Sequence, residues 1–580
     1  QDGKLDYQQI PGWNGKCTPG AAFNASHCNQ KLIGARFYNA GYGGDAGVLE
    51  ALPYEFISPR DYDGHGTHTA STAGGNANVA ATGRAAAFGA ISGIAPRARI
   101  AAYKVCWGIG GTANAGCFPS DSVAAIDQAI ADGVDVINFS ISGSRTNFLD
   151  PVEVAFLRAA DAGVFVAASA GNSGATIGAS SVAHPSPWIT TVAAGTHNRD
   201  GSGSVTLGNG ATLLGSSWAN AFGPKALVRS RDTGVAAADT ATLALCFGAA
   251  DDGTARLDPA KVEGKIVVCE RGGNVLVNKA AAVKAAGGVG MLLVNTPTSN
   301  QTRLALVYEI PAIHLASTDY AALNAYAQTA GATATINQAT GIYNVAAPFT
   351  ASFSSRGPLL AGGGDLLKPD IIAPGNDILA GVAPYTYGGE SFSLLSGTSM
   401  SSPHVAGLAA LMKELKAGWS PMAIKSALMT SAGDILDGPN TNPLVIFRQG
   451  AGHVQPNSAA DPGLVFDSNF TDWVGFLCGT QLSPAFCAAN GVPVLDASNL
   501  NVASIAVGDL SGTQTLTRRV TNVGSSAATY TASVAGLAGF TVEMSPASLS
   551  LAKGETKSFT LKITRTSAAL NAYTGGQLRW

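Results

Sequence analysis

The sequence predicts an α/β protein with three parts: a three-layer domain around a parallel sheet, a smaller α/β insert, and a C-terminal β-sandwich. Short apolar runs alternate with helical stretches in the first part, which favours parallel strands covered on both faces. This alternation then changes, and near the end of the chain the pattern becomes all-β. The expected boundaries are 1–214 and 341–490 for the two halves of the main domain, 215–340 for the insert and 491–580 for the sandwich.

The first half of the main domain is expected to alternate strands with helices. The helices DSVAAIDQAIADG and VEVAFLRAADAG end at Gly133 and Gly163, because glycine readily adopts the left-handed conformation that closes a helix. The expected strands are ARIAAYKVCW, VDVINFSIS, VFVAASAGN and WITTVAAG.

The later parts follow their own patterns. In the insert, the helix NVLVNKAAAVKAAG lies among the strands KVEGKIVVCERGG, GVGMLLVNT and IPAIHLA. Residues 345–435 are expected to return to long strands and to contain the helix SSPHVAGLAALMKELKAG. The sandwich strands are TQTLTRRVTNV, TYTASVAG, FTVEMSP and TKSFTLKITR, which alternate apolar and polar residues.

The composition excludes several classes of partner. The net charge is −3 and 13% of the 580 residues are charged, so nothing favours nucleic acid or an anionic membrane as a partner. No apolar run is long enough to span a bilayer. The chain opens on QDGKLDYQQIPGW, with neither an initiator Met nor a signal peptide, and is therefore expected to be processed or truncated.

The eight cysteines fall into four pairs of neighbours along the chain. Short loops favour local disulfides and therefore a secreted protein in an oxidising compartment, although unrelated buried thiols remain the alternative. No CxxC spacing supports a zinc site. The expected pairs are Cys17–Cys28, Cys106–Cys117, Cys246–Cys269 and Cys478–Cys487.

A candidate nucleophile lies in GTSMSSPHVAG at 397–407. Gly397 permits a tight turn, and Ser399 would then stand at the start of a helix, where backbone N–H groups and the helix dipole favour an anion. Pro403 is expected within the first turn, where no intrahelical N–H bond is lost. A plain N-cap serine is the alternative.

Two further motifs supply partners for such a serine. DGHGTHTA at 63–70 places two histidines three residues apart at a helix start, where one could act as a general base. The alternative is one packed and one exposed histidine; a metal pair is weak, because there is no HExxH glutamate and no downstream ligand cluster. VAASAGNSG at 166–174 ends a strand at Asn172, whose amide could donate to developing negative charge or merely suit a left-handed turn.

Taken together and in this order, DGHGTH, ASAGN and GTSMSSPHVAG resemble the subtilisin family of serine proteases. FSSRGP at 353–358 and KPDIIAPG at 368–375 resemble it too. VEGKIVVCERG resembles a protease-associated domain. GAGHVQPNSAADPGLVFD and RRVTNVG resemble the C-terminal part of the large plant-type members and their bacterial relatives, whose last domain is fibronectin type III-like.

The resemblance implies an endopeptidase that acts on proteins or peptides through an acyl-enzyme. His65 would be the general base, Ser399 the nucleophile, and Asn172 with the Ser399 N–H the oxyanion hole, whereas His68 would only pack. No cofactor is implied; structural calcium and homodimerisation through the insert are left open. The implied cleft residues are Asn138, Phe139, Ser140, Ile141 and Ser142 on one strand, and Ala168, Ser169, Ala170 and Gly171 on the next.

The chain departs from the family pattern in two places. The family carries its triad aspartate in an apolar strand upstream of the histidine, and no such segment precedes His65, so this strand is expected upstream of Gln1. Ser142 stands where relatives commonly have glycine. None of the aspartates before His65 is assigned to the triad; these are Asp2, Asp6, Asp45, Asp61 and Asp63.

Two other functions compete with this hypothesis. A non-catalytic peptide-binding relative would keep the cleft, and a serine-directed fluorophosphonate probe would distinguish it. A lipase or esterase would need Gly-x-Ser-x-Gly, but position 401 is Ser401 and the histidine precedes the serine in the chain.

Overall fold

The computed structural model describes residue 10, residues 12–110 and residues 114–580. Its centre is a parallel sheet of four strands, β3 (Val136–Phe139), β4 (Phe165–Ser169), β5 (Thr190–Gly195) and β6 (Ile371–Pro374), which pair in that order. Strands β4 and β5 are buried along their whole length. The predicted parallel sheet is therefore confirmed. Two of the aspartates that precede His65, Asp2 and Asp6, lie outside the described residues.

A second parallel pair lies beside this sheet. Strand β1 (Leu32–Phe37) pairs with β2 (Ile100–Lys104) and with no strand of the central sheet among the described residues. All of β2 is only half-buried, and β3 is half-buried up to its last residue. Each is the edge strand of its own sheet.

Helices cover both faces of the central sheet. On one face lie α2 (Pro119–Asp132) and α3 (Pro151–Asp161), which pack together. On the other, α1 (His65–Gly74) packs against α4 (Thr398–Leu415), and α4 crosses β3, β4, β5 and β6. Glycines end α2 and follow α3 as predicted, with Gly133 and Gly163 at φ 91° and 86°. Further helices of this domain are Asp45–Ala51, Pro421–Thr430, Pro443–Gln449 and Phe470–Thr480.

The insert forms its own eight-stranded sheet and begins earlier than the expected boundary at residue 215, since its first strand is Asp200–Leu207. Thr212–Ser216 pairs with both that strand and Ala312–Leu315, so the sheet closes on itself. Helices Leu276–Ala285 and Tyr320–Ala327 accompany it. The remaining strands are Phe222–Arg229, Ile266–Glu270, Gly290–Val294, Thr333–Ile336 and Thr340–Ile342.

The strands after the insert are short, so the expectation of long strands over 345–435 is wrong. Ile371–Pro374, Ile378–Gly381 and Phe392–Leu395 each have four residues. The longest element of this region is instead the 18-residue helix α4, whose apolar residues cover the sheet.

The C-terminal part is antiparallel. Thr513–Asn522 pairs with Thr556–Arg565, which also pairs with Phe540–Ser545. Val520 and Phe559 of this sheet share one apolar core with Leu549 and Leu551 of a second strand pair, so two layers face each other as in a sandwich. That pair is Ala528–Thr531 with Ser548–Leu551, and a further pair is Ser533–Gly536 with Gly576–Arg579.

All four predicted disulfides are present: Cys17–Cys28, Cys106–Cys117, Cys246–Cys269 and Cys478–Cys487.

Candidate active site

Ser399 lies in the first turn of α4, directly after Gly397 and Thr398. The side chain is half-buried, and its Oγ donates to the carbonyl oxygen of Ser140 at 3.2 Å. The Ser140 hydroxyl in turn donates to the Ser399 carbonyl at 2.8 Å. The candidate nucleophile is therefore joined twice to the segment that follows β3.

Pro403 explains why the Ser399 carbonyl is available. The proline lies inside α4, in its second turn, so the expectation that it belongs to the first turn is wrong. A residue at this position would normally donate its N–H to the carbonyl four residues earlier, which is that of Ser399. Because proline has no N–H, this carbonyl is free to accept the bond from Ser140.

Asn172 is held by Thr398, a residue that the sequence analysis did not select. The Asn172 Oδ1 accepts from the backbone N–H and from the hydroxyl of Thr398, both at 3.0 Å. The same hydroxyl accepts from the N–H of Gly171 at 3.1 Å. With Oδ1 occupied in this way, the orientation of the amide is fixed.

Two donors converge beside Gly397. The position that a Cβ at residue 397 would take lies 3.5 Å from Asn172 Nδ2 and 3.6 Å from the Ser399 nitrogen. Glycine leaves this space open. A carbonyl oxygen that acquires negative charge there would have two N–H donors nearby, which is the arrangement of an oxyanion hole.

His65 is the first residue of α1, and two carboxylates surround its backbone. Asp61 accepts from the N–H groups of Gly64 and Thr67, both at 2.8 Å, and Asp63 accepts from the His65 N–H at 3.2 Å. These bonds satisfy N–H groups that a helix start leaves free, and the negative charges suit the positive end of the helix dipole. Both carboxylates are thus engaged with backbone.

The His65 ring takes part in none of the hydrogen bonds found among the described residues. Burial lowers the pKa of His65, and the nearby charges of Asp63 and Asp61 oppose this shift. Burial also raises the pKa of Asp63. The other histidine of the motif, His68, is fully buried with Nε2 at 2.9 Å from the Ile378 carbonyl, and burial lowers its pKa to about 3.

The predicted cleft residues fall into two groups. In the first, strand β3 ends at Phe139, so Ser140, Ile141 and Ser142 follow the strand and do not belong to it. Asn138 links this group to α4, since its Oδ1 accepts from Ser402 Oγ at 2.7 Å. Ser142 is exposed.

The second group is buried. Ala168, Ser169 and Ala170 have at most 2% of their surface exposed, and Gly171 is buried as well. Ser169 Oγ donates to the Ile141 carbonyl at 3.5 Å. These residues support the first group, and their contact with a substrate stays a prediction.

Comparison with known proteins decides the family. A model of the Subtilase family matches residues 51–452, and a Fibronectin type-III domain model matches residues 499–580. The chain belongs to the subtilase family. Subtilisin-like protease SBT1.7 of Arabidopsis thaliana is 40% identical, over 95% of this chain and 74% of its own length. SBT5.3 of the same plant is 39% identical, over 98% of this chain and 76% of its own length.

A solved structure was also found, a psychrophilic subtilisin-like protease from Pseudoalteromonas sp. AS-11. It is 18% identical and covers 70% of this chain and 85% of its own, with a TM-score of 0.32. At this TM-score the likeness has no bearing on the site.

Metal-binding clusters and membrane-spanning helices were the two remaining features of interest in this subtilase, and neither is present among the described residues. Within the described ranges, no three His, Cys, Asp or Glu side chains gather into a group that could hold a metal ion. No helix in those ranges combines the length and apolar character needed to cross a bilayer.

Proposed function

We propose that this subtilase is a secreted serine endopeptidase in which Ser399 is the nucleophile and His65 the general base. The convergence of Asn172 Nδ2 and the Ser399 N–H beside Gly397 is the observation that supports this proposal most. A peptide-binding protein would have no need of two N–H groups close together next to a serine hydroxyl.

The reaction follows from this arrangement. The hydrogen bond from Ser399 Oγ to the Ser140 carbonyl is broken. Ser399 Oγ then gives its proton to His65 and attacks the scissile carbonyl carbon. Asn172 and the Ser399 N–H stabilise the oxyanion. His65 then protonates the departing amine, and a water molecule activated by the same histidine hydrolyses the acyl-enzyme. Lowering the pKa of His65 by burial keeps the ring neutral, which is the form that accepts the proton.

We propose further that the carboxylate orienting His65 is carried by an additional parallel strand between β2 and β3. Both are half-buried edge strands. Helix α1 lies against β2, α4 lies against β3, and the two helices pack on each other, so both edges flank the same gap. A strand placed there would pair with both and join the two sheets. Asp61 and Asp63 are already engaged with the backbone of α1.

The secreted location and the nature of the insert are parts of the same proposal. Four disulfides support an oxidising compartment. The separate sheet of the insert supports its assignment as a protease-associated domain.

Labelling with a fluorophosphonate probe tests the proposed function. Full-length protein is expected to be labelled at Ser399 and to cleave an unstructured protein. Ser399→Ala removes one oxygen, so its thermal unfolding should match that of the parent while labelling and cleavage are lost. A parent that resists the probe but binds peptides would identify a non-catalytic relative, and activity of Ser399→Ala within tenfold of the parent would exclude this nucleophile.

A further inference from the structure

A buried pair of hydrogen-bonded side chains lies behind the candidate cleft. His184 Nδ1 is 2.7 Å from Glu153 Oε1, and neither residue has more than 1% of its surface exposed. The second ring nitrogen, Nε2, is 2.8 Å from the carbonyl oxygen of Ile141. The Ile141 carbonyl can only accept, so Nε2 donates to it, while Nδ1 shares a hydrogen with the Glu153 carboxyl group.

The backbone from Ile141 to Ser144 wraps around this ring. Besides the bond to Ile141, the backbone N–H of His184 donates to the Ser144 carbonyl at 2.9 Å. A Cβ at Gly143 would lie 2.3 Å from His184 Cε1, so only glycine lets the chain pass this close. The His184 backbone has φ 55°, a conformation that is costly for a non-glycine residue and persists where the surroundings enforce it.

This segment needs support because it has left the sheet. Strand pairing stops at Phe139, which pairs with Ala168. Beyond that point, the Ser140 carbonyl accepts from Ser399 on one side, and the Ile141 carbonyl accepts from His184 on the other. Residues 140–142 are therefore fixed between the nucleophile and the buried pair, with Ser142 exposed.

We propose that Glu153 and His184 are a positioning pair for peptide substrates, and this inference rests on the proposed function. The pair fixes the backbone of residues 140–142 as an edge, against which the backbone of a bound peptide adds as a strand. His184 touches no substrate and acts through the Ile141 carbonyl. Without the pair, this edge has to be ordered each time a substrate binds, which weakens binding of extended peptides but leaves chemistry at Ser399 unchanged.

The test compares two substrates of the full-length protein, an ester of a single acylated amino acid and a tetrapeptide anilide that extends along residues 140–142. His184→Leu, which has no donor for the Ile141 carbonyl, is expected to raise the KM of the tetrapeptide roughly tenfold, the effect of losing about one hydrogen bond. Its kcat, the hydrolysis of the ester and the rate of fluorophosphonate labelling should stay within twofold to threefold of the parent.

A second variant covers the case in which a buried, unpaired Glu153 prevents folding. Glu153→Leu combined with His184→Phe fills the same space with apolar groups, which proteins often tolerate at buried ion pairs, yet it cannot bond the Ile141 carbonyl. The tetrapeptide KM should rise as for His184→Leu. Leu157→Ala is the matched control, because it destabilises the same helix α3 without removing a polar group.

The outcomes separate the two proposals. An unchanged tetrapeptide KM in the folded variants overturns the positioning role, as does an equal rise in Leu157→Ala at a similar loss of thermal stability. If the parent itself is not labelled at Ser399, the proposed function fails instead.

Discussion

Thr398 offers the sharpest test of how the oxyanion hole is built. Its side chain is fully buried, and its hydroxyl joins the Gly171 N–H to Asn172 Oδ1. Thr398→Val keeps the shape and removes both bonds. The orphaned Gly171 N–H should cost about 1–3 kcal/mol of stability. Asn172 keeps one of its two anchors, so the lost bond, worth about 1 kcal/mol, should lower kcat roughly fivefold.

The assay is hydrolysis of a peptide anilide, with kcat and KM measured separately and thermal unfolding followed in parallel. Thr398→Ser keeps the hydroxyl and is the matched control, expected to stay within about twofold of the parent in kcat. A double-mutant cycle with Asn172→Ala tests whether Thr398 affects kcat through Asn172. If Thr398 acts through Asn172, its effect on kcat disappears in the Asn172→Ala background. The same fivefold loss in both backgrounds would refute the reasoning.

Three further predictions follow from the site and its surroundings. Asn172→Ala should lower kcat about 10²–10³-fold with little change in KM, a range known from subtilisin itself and therefore borrowed from the family; an effect mainly on KM would mean that Asn172 only supports the turn. Peptide mapping without reduction should recover the four disulfides, and four or more free thiols would contradict the secreted assignment. A form of the protein that also carries the proposed additional strand should have a much higher kcat than residues 1–580, since loss of the triad aspartate in subtilisin costs about 3 × 10⁴-fold, again a family value. The new carboxylate should also raise the pKa of His65 and so move the acid limb of kcat/KM to higher pH, because the neutral ring is the active form. Equal activity and pH profiles of both forms would assign the orienting role to a carboxylate already present.

The sequence predicted those features that depend on neighbours along the chain. The helices that end near Gly133 and Gly163 needed only local patterns, and so did the four short disulfide loops. The start of the insert was placed too late because Asp200–Leu207 is alternately buried and half-buried, and only its pairing with Thr212–Ser216 and later strands reveals which sheet it joins.

Contacts between distant segments could not be predicted in this way. Glu153 and His184 belong to different elements, and the only local signal was a glutamate among the apolar residues of VEVAFL. The sequence does not indicate a role for Thr398, because a threonine beside the serine is typical of an ordinary helix start. Its role in the site depends on the hydrogen bonds of its hydroxyl with Gly171 and Asn172. No spacing rule connects residues more than 200 positions apart.

Pro403 shows what such a missed contact means for function. The motif was recognised, yet the role of the proline depends on the first residue of α4, and only the structure fixes that residue as Thr398. With Pro403 in the second turn, the missing N–H frees the Ser399 carbonyl for the Ser140 hydroxyl. Helix α4, which carries the nucleophile, is thereby hydrogen-bonded to residues 140–142. The Ile141 carbonyl of the same segment is hydrogen-bonded to His184. Since Ser399 Oγ also donates to the Ser140 carbonyl, two hydrogen bonds join the nucleophile to the proposed peptide-binding edge.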